Sequence, residues 1–394
     1  MNKLLLISAV PIALRAFLLP FAHYFRAQGW RVDAIANGVS TCPECVAACD
    51  RVWDVELGRS PLDPKNFLTA PSKIGEIVAQ QQYDIVHAHM AVAGFVTRYA
   101  LKDLRKQGKP KIIYTAHGFN FYKGEMPLKN AIFLTLEKLA GLWTDYLVVI
   151  NREDEAAAKR YRIVPPDRVR YMPGIGVDIQ RYNPDAISAS EVEQVRQELQ
   201  LAPTTSLFLC IAEFTPRKRH RDLLTAFAKV ARDNTCLAFA GEGVLQAEMQ
   251  QLSHQLGVKD RVRFLGFRRD IPTLSRAAVA TILVSESEGL PRSIMESLCL
   301  ETPAIGTDIR GIRELLDPGC GILVPVGNVE AIAKAIAWIL DHPEDAKMMG
   351  KRGRELIADY DLRQILNLHE TLYAETLVSA PSFASSESLI MGNR

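Results

Sequence analysis

A short apolar run, followed by a loop with two acidic residues, constrains the fold of this chain most strongly. Residues 279–284 read Val-Ala-Thr-Ile-Leu-Val and are long enough for one buried strand. Pro291 suits the first position of a helix, so we expect a helix to begin near it. This order predicts Glu288 on the loop and Glu296 on the second turn of the helix. The two carboxylates can then face different parts of one ligand.

The loop and the helix start offer groups that suit a nucleotide sugar. The free amides of Gly289, Leu290 and the residues after Pro291 point out of a helix N-terminus, where the dipole favours a phosphate. One carboxylate suits a polyhydroxy ring, and the other suits a ribose diol. An ordinary strand-turn-helix with solvated carboxylates has the same pattern, and this alternative stays open.

The pattern Glu-Gly-Leu-Pro-Arg-x-x-x-Glu, from Glu288 to Glu296, resembles the E-x7-E signature of retaining glycosyltransferase family 4. Members have the α/β GT-B fold, in which two Rossmann-like domains have parallel sheets that face a central cleft. The resemblance implies transfer with retention of anomeric configuration. It also implies that Glu288 holds hydroxyls of the donor sugar and Glu296 holds the ribose, and that neither is an attacking nucleophile.

The length fits this architecture, because 394 residues suit two domains of ~150–200 residues each. The division that we expect has five parts: an N-terminal Rossmann-like acceptor domain over 1–178, a linker over 179–204, a C-terminal Rossmann-like nucleotide-sugar domain over 205–358, a helix over 359–378 that crosses back to the N-terminal domain, and a mobile tail over 379–394.

His117 is the candidate site residue of the N-terminal domain. It follows a predicted strand that begins at Lys111, and ligands of open α/β sheets bind beyond the carboxyl ends of strands. Residues 115–124, Thr-Ala-His-Gly-Phe-Asn-Phe-Tyr-Lys-Gly, resemble the bacterial branch of the family that builds capsular polysaccharide, exopolysaccharide and lipid-linked glycans. Residues 49–55, with Arg59-Ser-Pro61, resemble this branch too. The resemblance implies that His117 lies beside the donor sugar and helps to hold it.

His87 and His89 lie two apart on another predicted strand and therefore point the same way. This spacing suits a metal site with His117 as a third ligand. The resemblance favours packing at the domain cleft instead.

The loop after the first strand of the second domain carries candidate phosphate ligands. The family often has Gly-Arg-Leu-x-x-x-Lys-Gly here, and Lys218 matches its lysine. Glu213 stands where the family has arginine, so half of the expected diphosphate clamp is missing. Arg217 or Arg219 could supply the missing charge, and Glu213 could pair with one of them. A solvated surface cluster is the alternative.

Three further segments bear on the resemblance. Residues 261–270 are similar to the segment against which the nucleotide base rests, which implies a base contact for Phe267. Residues 172–178 resemble the family turn Pro-Asn-Gly-Val-Asp, with Ile175 in place of the asparagine. The glycine-rich loop of many members is absent after the first strand. Residues 11–20 are instead expected to form an apolar loop, which suits either a lipid-tailed acceptor or core packing.

No metal ion or cofactor is expected, because the nucleotide sugar is a co-substrate. Asp359-Tyr-Asp361 has the form of the Asp-x-Asp metal loop of the other glycosyltransferase architecture, but it follows a predicted helix and suits a helix terminus. Charge on the departing diphosphate must then be stabilised by Lys218, nearby arginines and helix amides.

We assign catalytic roles to His117, Lys218 and Glu288. The donor-binding residues are Arg217, Lys218, Phe267, Gly289, Leu290, Pro291 and Glu296.

The charge of the chain is unevenly distributed. Residues 1–178 hold 23 of the 47 Lys and Arg but only 17 of the 45 Asp and Glu, so the N-terminal part is basic. A cluster there suits either a solvated helix end or attraction to anionic lipid or a pyrophosphate group. Its members are Lys102, Arg105, Lys106, Lys109 and Lys111. With the apolar residues 17–21, it predicts docking on an anionic membrane surface. Nucleic acid is not expected, because no recognised nucleic-acid module accompanies the charge.

Three observations favour a cytoplasmic protein, peripheral on the inner face of a membrane. No apolar run reaches the ~18 residues of a membrane span. Residues 4–10 are interpreted as the first strand rather than as part of a signal peptide. The seven cysteines are an odd number, which argues for a reducing compartment. Cys42, Cys45 and Cys49 could hold zinc or an iron–sulfur cluster, but their spacing fits no structural zinc pattern and free thiols are expected.

Three functions remain as hypotheses. The first is a metal-independent hexosyltransferase that moves a sugar from a nucleotide sugar, expected to be a UDP-sugar, to a polyprenyl-diphosphate-linked or other glycan acceptor in cell-surface polysaccharide biosynthesis. The second is a nucleotide-sugar 2-epimerase, which needs no acceptor. The third is a non-catalytic partner in a polysaccharide-assembly complex, which Glu213 suggests and the presence of Lys218, Glu288 and Glu296 argues against.

Overall fold

The computed structural model describes residues 1–58, 60, 63–122 and 124–378. The expectations for Arg59, Pro61, Lys123 and the tail from residue 379 lie outside these residues. The chain divides into two compact units. Among the described residues, the first comprises Met1–Ile150, Asp154–Met172 and 366–378, and the second comprises Asn151–Glu153 and Pro173–Ile365. The chain therefore first enters the second unit at Asn151, leaves the first unit after Met172 and returns to it at Leu366.

The first unit is built on a parallel sheet. Its strands are β1 Lys3–Ile7, β2 Arg31–Ala36, β3 Arg51–Asp54, β4 Ile85–His89, β5 Lys111–Ala116, β6 Tyr146–Val149 and β7 Val169–Tyr171. Their order across the sheet is β3-β2-β1-β4-β5-β6-β7. All of β4 and all of β1 after Lys3 are buried. Helices cover both faces of such a sheet, which explains the unbroken apolar run of β1.

Helices connect these strands, and one connection differs from expectation. The helices are α1 Pro11–Ala13, α2 Leu19–Ala27, α3 Pro43–Ala48, α4 Lys65–Leu68, α5 Ala70–Gln81, α6 Ala91–Lys106, α7 Pro127–Gly141 and α8 Arg152–Arg160. A π-helical stretch, Leu14–Leu18, joins α1 to α2, so the expectation of an apolar loop over residues 11–20 is wrong. Leu14 and Leu18 are buried, so their side chains pack in the core.

The second unit repeats this plan. Its strands are β8 Ser206–Ile211, β9 Thr235–Ala240, β10 Val262–Phe264, β11 Ala280–Leu283, β12 Ala304–Thr307 and β13 Gly321–Val324. Its helices are α9 Ala189–Glu198, α10 His220–Val230, α11 Gln246–Gln255, α12 Ile271–Ala277, α13 Arg292–Cys299, α14 Ile312–Leu316, α15 Val329–Asp341 and α16 Pro343–Ile357. The strands are parallel and lie in the order β10-β9-β8-β11-β12-β13.

The strand order reverses once in each sheet. Strand β1 lies between β2 and β4, and β8 lies between β9 and β11. Connections on the two sides of such a switch point leave on opposite faces, so a crevice opens at the carboxyl ends of the central strands. Each unit is therefore Rossmann-like, as expected, and the loops after β4, β8 and β11 lie where a ligand would bind.

The last helix, α17 Leu362–Val378, belongs to the first unit from Leu366 onward. At its start, Asp361 accepts a hydrogen bond from the Arg363 amide (3.2 Å) and pairs with the Arg363 guanidinium (2.8 Å). Asp361 is thus a helix-terminus residue, as we interpreted it. No helix in the described part of the chain is both long and apolar enough to cross a bilayer.

Candidate active site

An ion pair occupies the switch point of the second sheet. Lys218 ends a short 3-10 turn after β8, and Glu288 lies on the loop after β11. The Lys218 Nζ donates to Glu288 Oε1 at 2.6 Å, and both side chains are largely buried. A backbone hydrogen bond from the Glu286 amide to the Arg217 carbonyl (2.9 Å) ties the two loops together. Two residues that we predicted as catalytic therefore meet where a ligand of this sheet would bind.

The neighbouring arginines differ in how far their charge is already neutralised. Arg219 pairs with Asp222 (2.5 Å) and with Glu286 (2.6 Å). Arg217 donates to the Ser287 carbonyl at 3.3 Å and has no carboxylate partner in the described part of the chain. Of the two candidates for the missing phosphate charge, only Arg217 is thus without a competing anion.

Glu213 is exposed and pairs with neither arginine. The expectation that it could neutralise one of them is therefore wrong. Its loop is held by backbone contacts instead, because the Phe214 amide donates to the Glu242 carbonyl at 2.9 Å. A Cβ on Gly241 would lie 2.0 Å from the Ala212 carbonyl oxygen, so the Gly-x-Gly turn is required for this close approach.

The loop that carries Glu288 is fixed through its backbone. Asn151 Nδ2 donates to the Gly289 carbonyl (3.2 Å), and the buried Arg310 donates to the Glu288 carbonyl (3.3 Å). Gly311 has a φ of +75°, and a Cβ there would fall 1.9 Å from the same Gly289 carbonyl oxygen. These contacts set the direction of the Glu288 side chain without touching it.

Helix α13 begins one residue later than expected, because Pro291 is its N-cap and Arg292 is its first residue. Glu296 is buried on its second turn, as predicted, and lies 2.7 Å from Arg292 Nε. Burial, and next the charge of the Glu296 carboxylate, raise the pKa of the Tyr182 phenol. A ribose diol that binds Glu296 would lie near the Arg292 guanidinium and the Tyr182 hydroxyl.

The amides of Gly289 and Leu290 donate no hydrogen bond to any residue that the structure describes. They precede α13 and are available to a ligand at its N-terminus. Phe267 is more than half exposed and follows the carboxyl end of β10, at the edge of the same sheet. Its ring can therefore receive a flat ligand.

Histidines form a cluster in the first unit. His87 and His89 lie on β4 with ring centroids 4.1 Å apart, and His369 of α17 is 5.7 Å from His87. His117 follows β5, and its Nε2 is 3.1 Å from His89 Nδ1. Burial lowers the pKa of His117 to about 4 and that of His87 and His89 well below the usual value. The rings are therefore neutral at pH 7.

The contact between His89 and His117 has one preferred direction. His89 Nε2 is buried and has no hydrogen-bond partner in the described part of the molecule. If His117 donated, a buried N–H of His89 would remain without an acceptor, which native proteins rarely allow. His89 Nδ1–H therefore donates to His117 Nε2, and His117 carries its proton on Nδ1. This N–H is the group that His117 can offer to a ligand.

The same hydrogen bond argues against a histidine metal site. Two histidines that bind one metal ion must both direct a nitrogen lone pair at it. Here His89 Nδ1 instead donates its proton to the lone pair of His117 Nε2. No three His, Cys, Asp or Glu side chains in the described ranges are grouped as metal ligands. All seven cysteines are free thiols.

Comparison with known proteins decides the family. A family model described as Glycosyltransferase Family 4 matches residues 16–181, and one described as Glycosyl transferases group 1 matches residues 191–356. EpsD of Bacillus subtilis (strain 168), which is named as a glycosyltransferase, is 34% identical over 358 residues that cover 90% of this chain and 91% of EpsD. The chain belongs to glycosyltransferase family 4.

Two more similarities describe this glycosyltransferase further. An Escherichia coli protein named UDP-Gal:alpha-D-GlcNAc-diphosphoundecaprenol alpha-1,3-galactosyltransferase is 24% identical over 311 residues, which cover 77% of this chain and 78% of that protein. The crystal structure of Anabaena Alr3699/HepE in complex with UDP-glucose has a TM-score of 0.77 at 19% identity and covers 95% of this chain and all of that one. This likeness concerns the fold, and the expected GT-B fold is confirmed.

Sequence reasoning missed four residues around the two glutamates of this glycosyltransferase. Arg292 precedes Glu296 by one helical turn, a spacing that indicates an ion pair and could have been recognised. Tyr182, Asn151 and Arg310 gave no such signal, because they come from distant parts of the sequence.

Proposed function

We propose that this glycosyltransferase moves a hexosyl group from a UDP-sugar to a polyprenyl-diphosphate-linked acceptor, with retention of anomeric configuration and without a metal ion. The observation that carries the proposal is the contact between Lys218 and Glu288 at the carboxyl ends of β8 and β11. It combines a cation for the diphosphate with a carboxylate for sugar hydroxyls, next to the N-terminus of α13.

In this reaction the bond between the anomeric carbon and the diphosphate oxygen breaks. The acceptor hydroxyl oxygen bonds to that carbon from the same face, and its proton leaves with the diphosphate. Lys218 supplies positive charge where negative charge grows, so it stabilises the transition state more than the bound donor. Arg217, which lacks a carboxylate partner among the described residues, adds to this charge. Glu288 accepts from donor hydroxyls, and His117 has an Nδ1–H that can donate to a sugar hydroxyl.

The rest of the donor contacts the remaining predicted residues. The amides of Gly289 and Leu290 hold diphosphate oxygens, Glu296 accepts from the ribose diol, and Phe267 packs against the uracil. UDP is supported by the Anabaena HepE complex with UDP-glucose, and a lipid-linked acceptor by the name of the Escherichia coli relative. We place the reaction in cell-surface polysaccharide synthesis at the cytoplasmic face of a membrane, and the free thiols agree with a reducing compartment.

Donor and acceptor can be tested in sequence. Thermal unfolding is measured first with UDP-, GDP- and ADP-sugars, and we expect UDP-sugars to raise the melting temperature most. The best donor is then incubated with short-chain polyprenyl-diphosphate-linked sugars in the presence of a chelator. We expect a product that retains the anomeric configuration of the donor. An inverted product, or a strict requirement for added Mg²⁺ or Mn²⁺, would contradict the proposal. Conversion of the donor to its 2-epimer without acceptor would identify an epimerase.

A further inference from the structure

The outer surface of helix α7 carries an apolar stripe that the donor chemistry does not use. Leu128, Ile132, Leu139 and Leu142 are spaced by four, seven and three residues, which keeps them within an arc of about 80° on a helix. They are 75%, 51%, 43% and 66% exposed. Thr135 is exposed on the same arc, and its hydroxyl donates to the Ala131 carbonyl at 2.8 Å. Single exposed apolar residues are ordinary, whereas several aligned on one helix face mark an interaction surface.

The charges beside the stripe are of one sign. The only carboxylate of α7, Glu137, points inward and pairs with the buried Arg98 at 2.9 Å. Lys138 is exposed and forms no ion pair with any residue that the structure describes. Lys129 is also exposed and pairs with Glu125. The outer surface of α7 therefore combines apolar side chains with lysines and lacks an exposed carboxylate.

A groove of about 610 Å³ adjoins the stripe. Its lining includes Lys138, Leu139, Leu142, Arg160, Tyr161 and Arg162. The Arg160 guanidinium lies 5.5 Å from the centre of the Tyr161 ring, and Arg162 is exposed without a carboxylate partner in the described ranges. The groove thus has an apolar wall and a basic edge, which suits an amphiphile with an anionic head.

Aromatic side chains lie at the end of the stripe. Trp143 packs edge-on against Tyr99 (5.8 Å between centroids) and Phe95 (6.3 Å). Tyr99 is exposed at the surface, and Lys102 Nζ lies 4.6 Å from the centre of its ring. Trp and Tyr are enriched where a protein meets the head groups of a membrane.

The basic cluster that the sequence indicated for membrane docking is largely neutralised. Its pairs are Arg105 with Asp145, Lys109 with Asp84, and both Lys102 and Lys106 with Asp103. The apolar segment expected beside it is not free either, because Leu18 is buried and the Phe17 ring stacks on His117. A docking surface must therefore be sought elsewhere in this unit.

We propose that α7 and the adjoining groove, here called the α7 face, dock on an anionic lipid bilayer. The apolar stripe enters the head-group region, and Lys138, Arg160 and Arg162 attract lipid phosphates. Cations without acceptors beside exposed leucines fit such a surface better than a second copy of this chain, because the α7 face offers itself no complementary carboxylates. The inference rests on the proposed function in one respect, because docking would give access to a lipid-linked acceptor. The docking itself does not require a bound nucleotide sugar.

Co-sedimentation with vesicles tests the α7 face. Vesicles of phosphatidylglycerol and phosphatidylethanolamine are compared with phosphatidylcholine vesicles at low and high salt. We expect binding to the anionic vesicles only, and weakening by salt. Leu128→Glu with Leu139→Glu should reduce binding by at least about tenfold, because charges replace the inserted groups. Lys138→Glu with Arg162→Glu should reduce it by about fivefold or more per site.

Matched controls use the same substitutions on the second unit. Val244→Glu with Met348→Glu changes two exposed apolar residues there, and Lys351→Glu changes an exposed lysine. Binding unchanged in these controls but lost in the α7 variants supports the proposal. The proposal would be overturned if the α7 variants bound vesicles as well as the wild type, or if the wild type did not bind. It would also be overturned if the wild type were a dimer that the α7 substitutions dissociate. Stabilisation by UDP-sugar, measured on the same samples, reports separately on the proposed function.

Discussion

Lys218 Nζ and Glu288 Oε1 lie 2.6 Å apart, so the loops after β8 and β11 neutralise each other's charge at the switch point of the second sheet. Removing one partner of a buried pair leaves an unpaired charge, which is costly. Each residue therefore matters to folding as well as to the proposed reaction, and a single substitution cannot separate the two roles.

Lys218→Met should lower both turnover and the free energy of unfolding, the latter by about 3–5 kcal/mol because Glu288 loses its partner. Adding Glu288→Gln should restore part of this stability, since the remaining side chain is neutral. Transfer activity should stay low in the double variant, because the charge that stabilises the leaving diphosphate is still absent. Urea unfolding and initial rates are measured on all four proteins of this cycle. Full recovery of activity in the double variant would remove Lys218 from the catalytic assignment.

Glu296→Ala should weaken the binding of UDP about tenfold to a hundredfold, because hydrogen bonds to a charged acceptor contribute ~1.5–3 kcal/mol. Isothermal titration calorimetry measures the dissociation constant. Glu330→Ala is the control, since Glu330 is also on a helix but is exposed and pairs with Lys229. Unchanged UDP affinity in a folded Glu296 variant would defeat the ribose assignment.

Gly311→Ala should disturb the loop that carries Glu288. The new Cβ would lie 1.9 Å from the Gly289 carbonyl oxygen, so this loop must move. Gly257→Ala is the matched control, because Gly257 has a φ of +71° and no atom within 4 Å of the added carbon. The control should lose only the ~1–2 kcal/mol of a strained backbone. Melting temperature and UDP-sugar turnover are compared, and equal losses in the two variants would show that the contact with Gly289 is unimportant.

The stability of the first unit should depend on pH through its buried histidines. The pKa of His117 is about 4 in the folded protein, and an unfolded chain has a value of about 6.5. Between these values the unfolded state binds more protons, so the free energy of unfolding falls as pH is lowered from 6.5 and is level above it. His117→Gln should reduce this slope by about 1.4 kcal/mol per pH unit. Urea unfolding at pH 7, 6 and 5 measures the slope, which should stay unchanged in His23→Gln if His117 is responsible.

His89 should fix the proton of His117 on Nδ1. Nitrogen-15 NMR of labelled histidines is expected to show the Nδ1–H form for His117 in the wild type. In His89→Leu this preference should disappear and turnover should fall, while His89→Asn, whose amide can still donate, should retain more of both. A wild-type spectrum with the proton on Nε2 would contradict the direction assigned to this hydrogen bond.

Local patterns predicted much of the fold and of the site. The apolar runs of parallel strands are continuous, so β2 and β5 were recognisable, and the loop that holds Glu288 followed from the strand before it. Contacts between distant segments could not be predicted. Asp84 and Asp145 neutralise much of the basic cluster, and Asn151 and Arg310 hold the Glu288 loop, yet none of them is marked by its neighbours in sequence. The helical turn at Leu14–Leu18 was missed because its apolar residues, with Pro11 before it and Pro20 after it, also suit a loop.

The first unit is discontinuous in the chain, because α17 supplies Tyr373, whose hydroxyl lies 2.6 Å from His87 Nδ1. During synthesis on the ribosome, strand β4 therefore emerges long before the helix that completes its surroundings. The second unit has been translated almost entirely by then and can fold first. A fragment that stops at Met172 would leave the histidine cluster open to water, whereas one fused to residues 366–378 would restore its cover. The first unit can therefore complete its folding only after helix α17 has been translated.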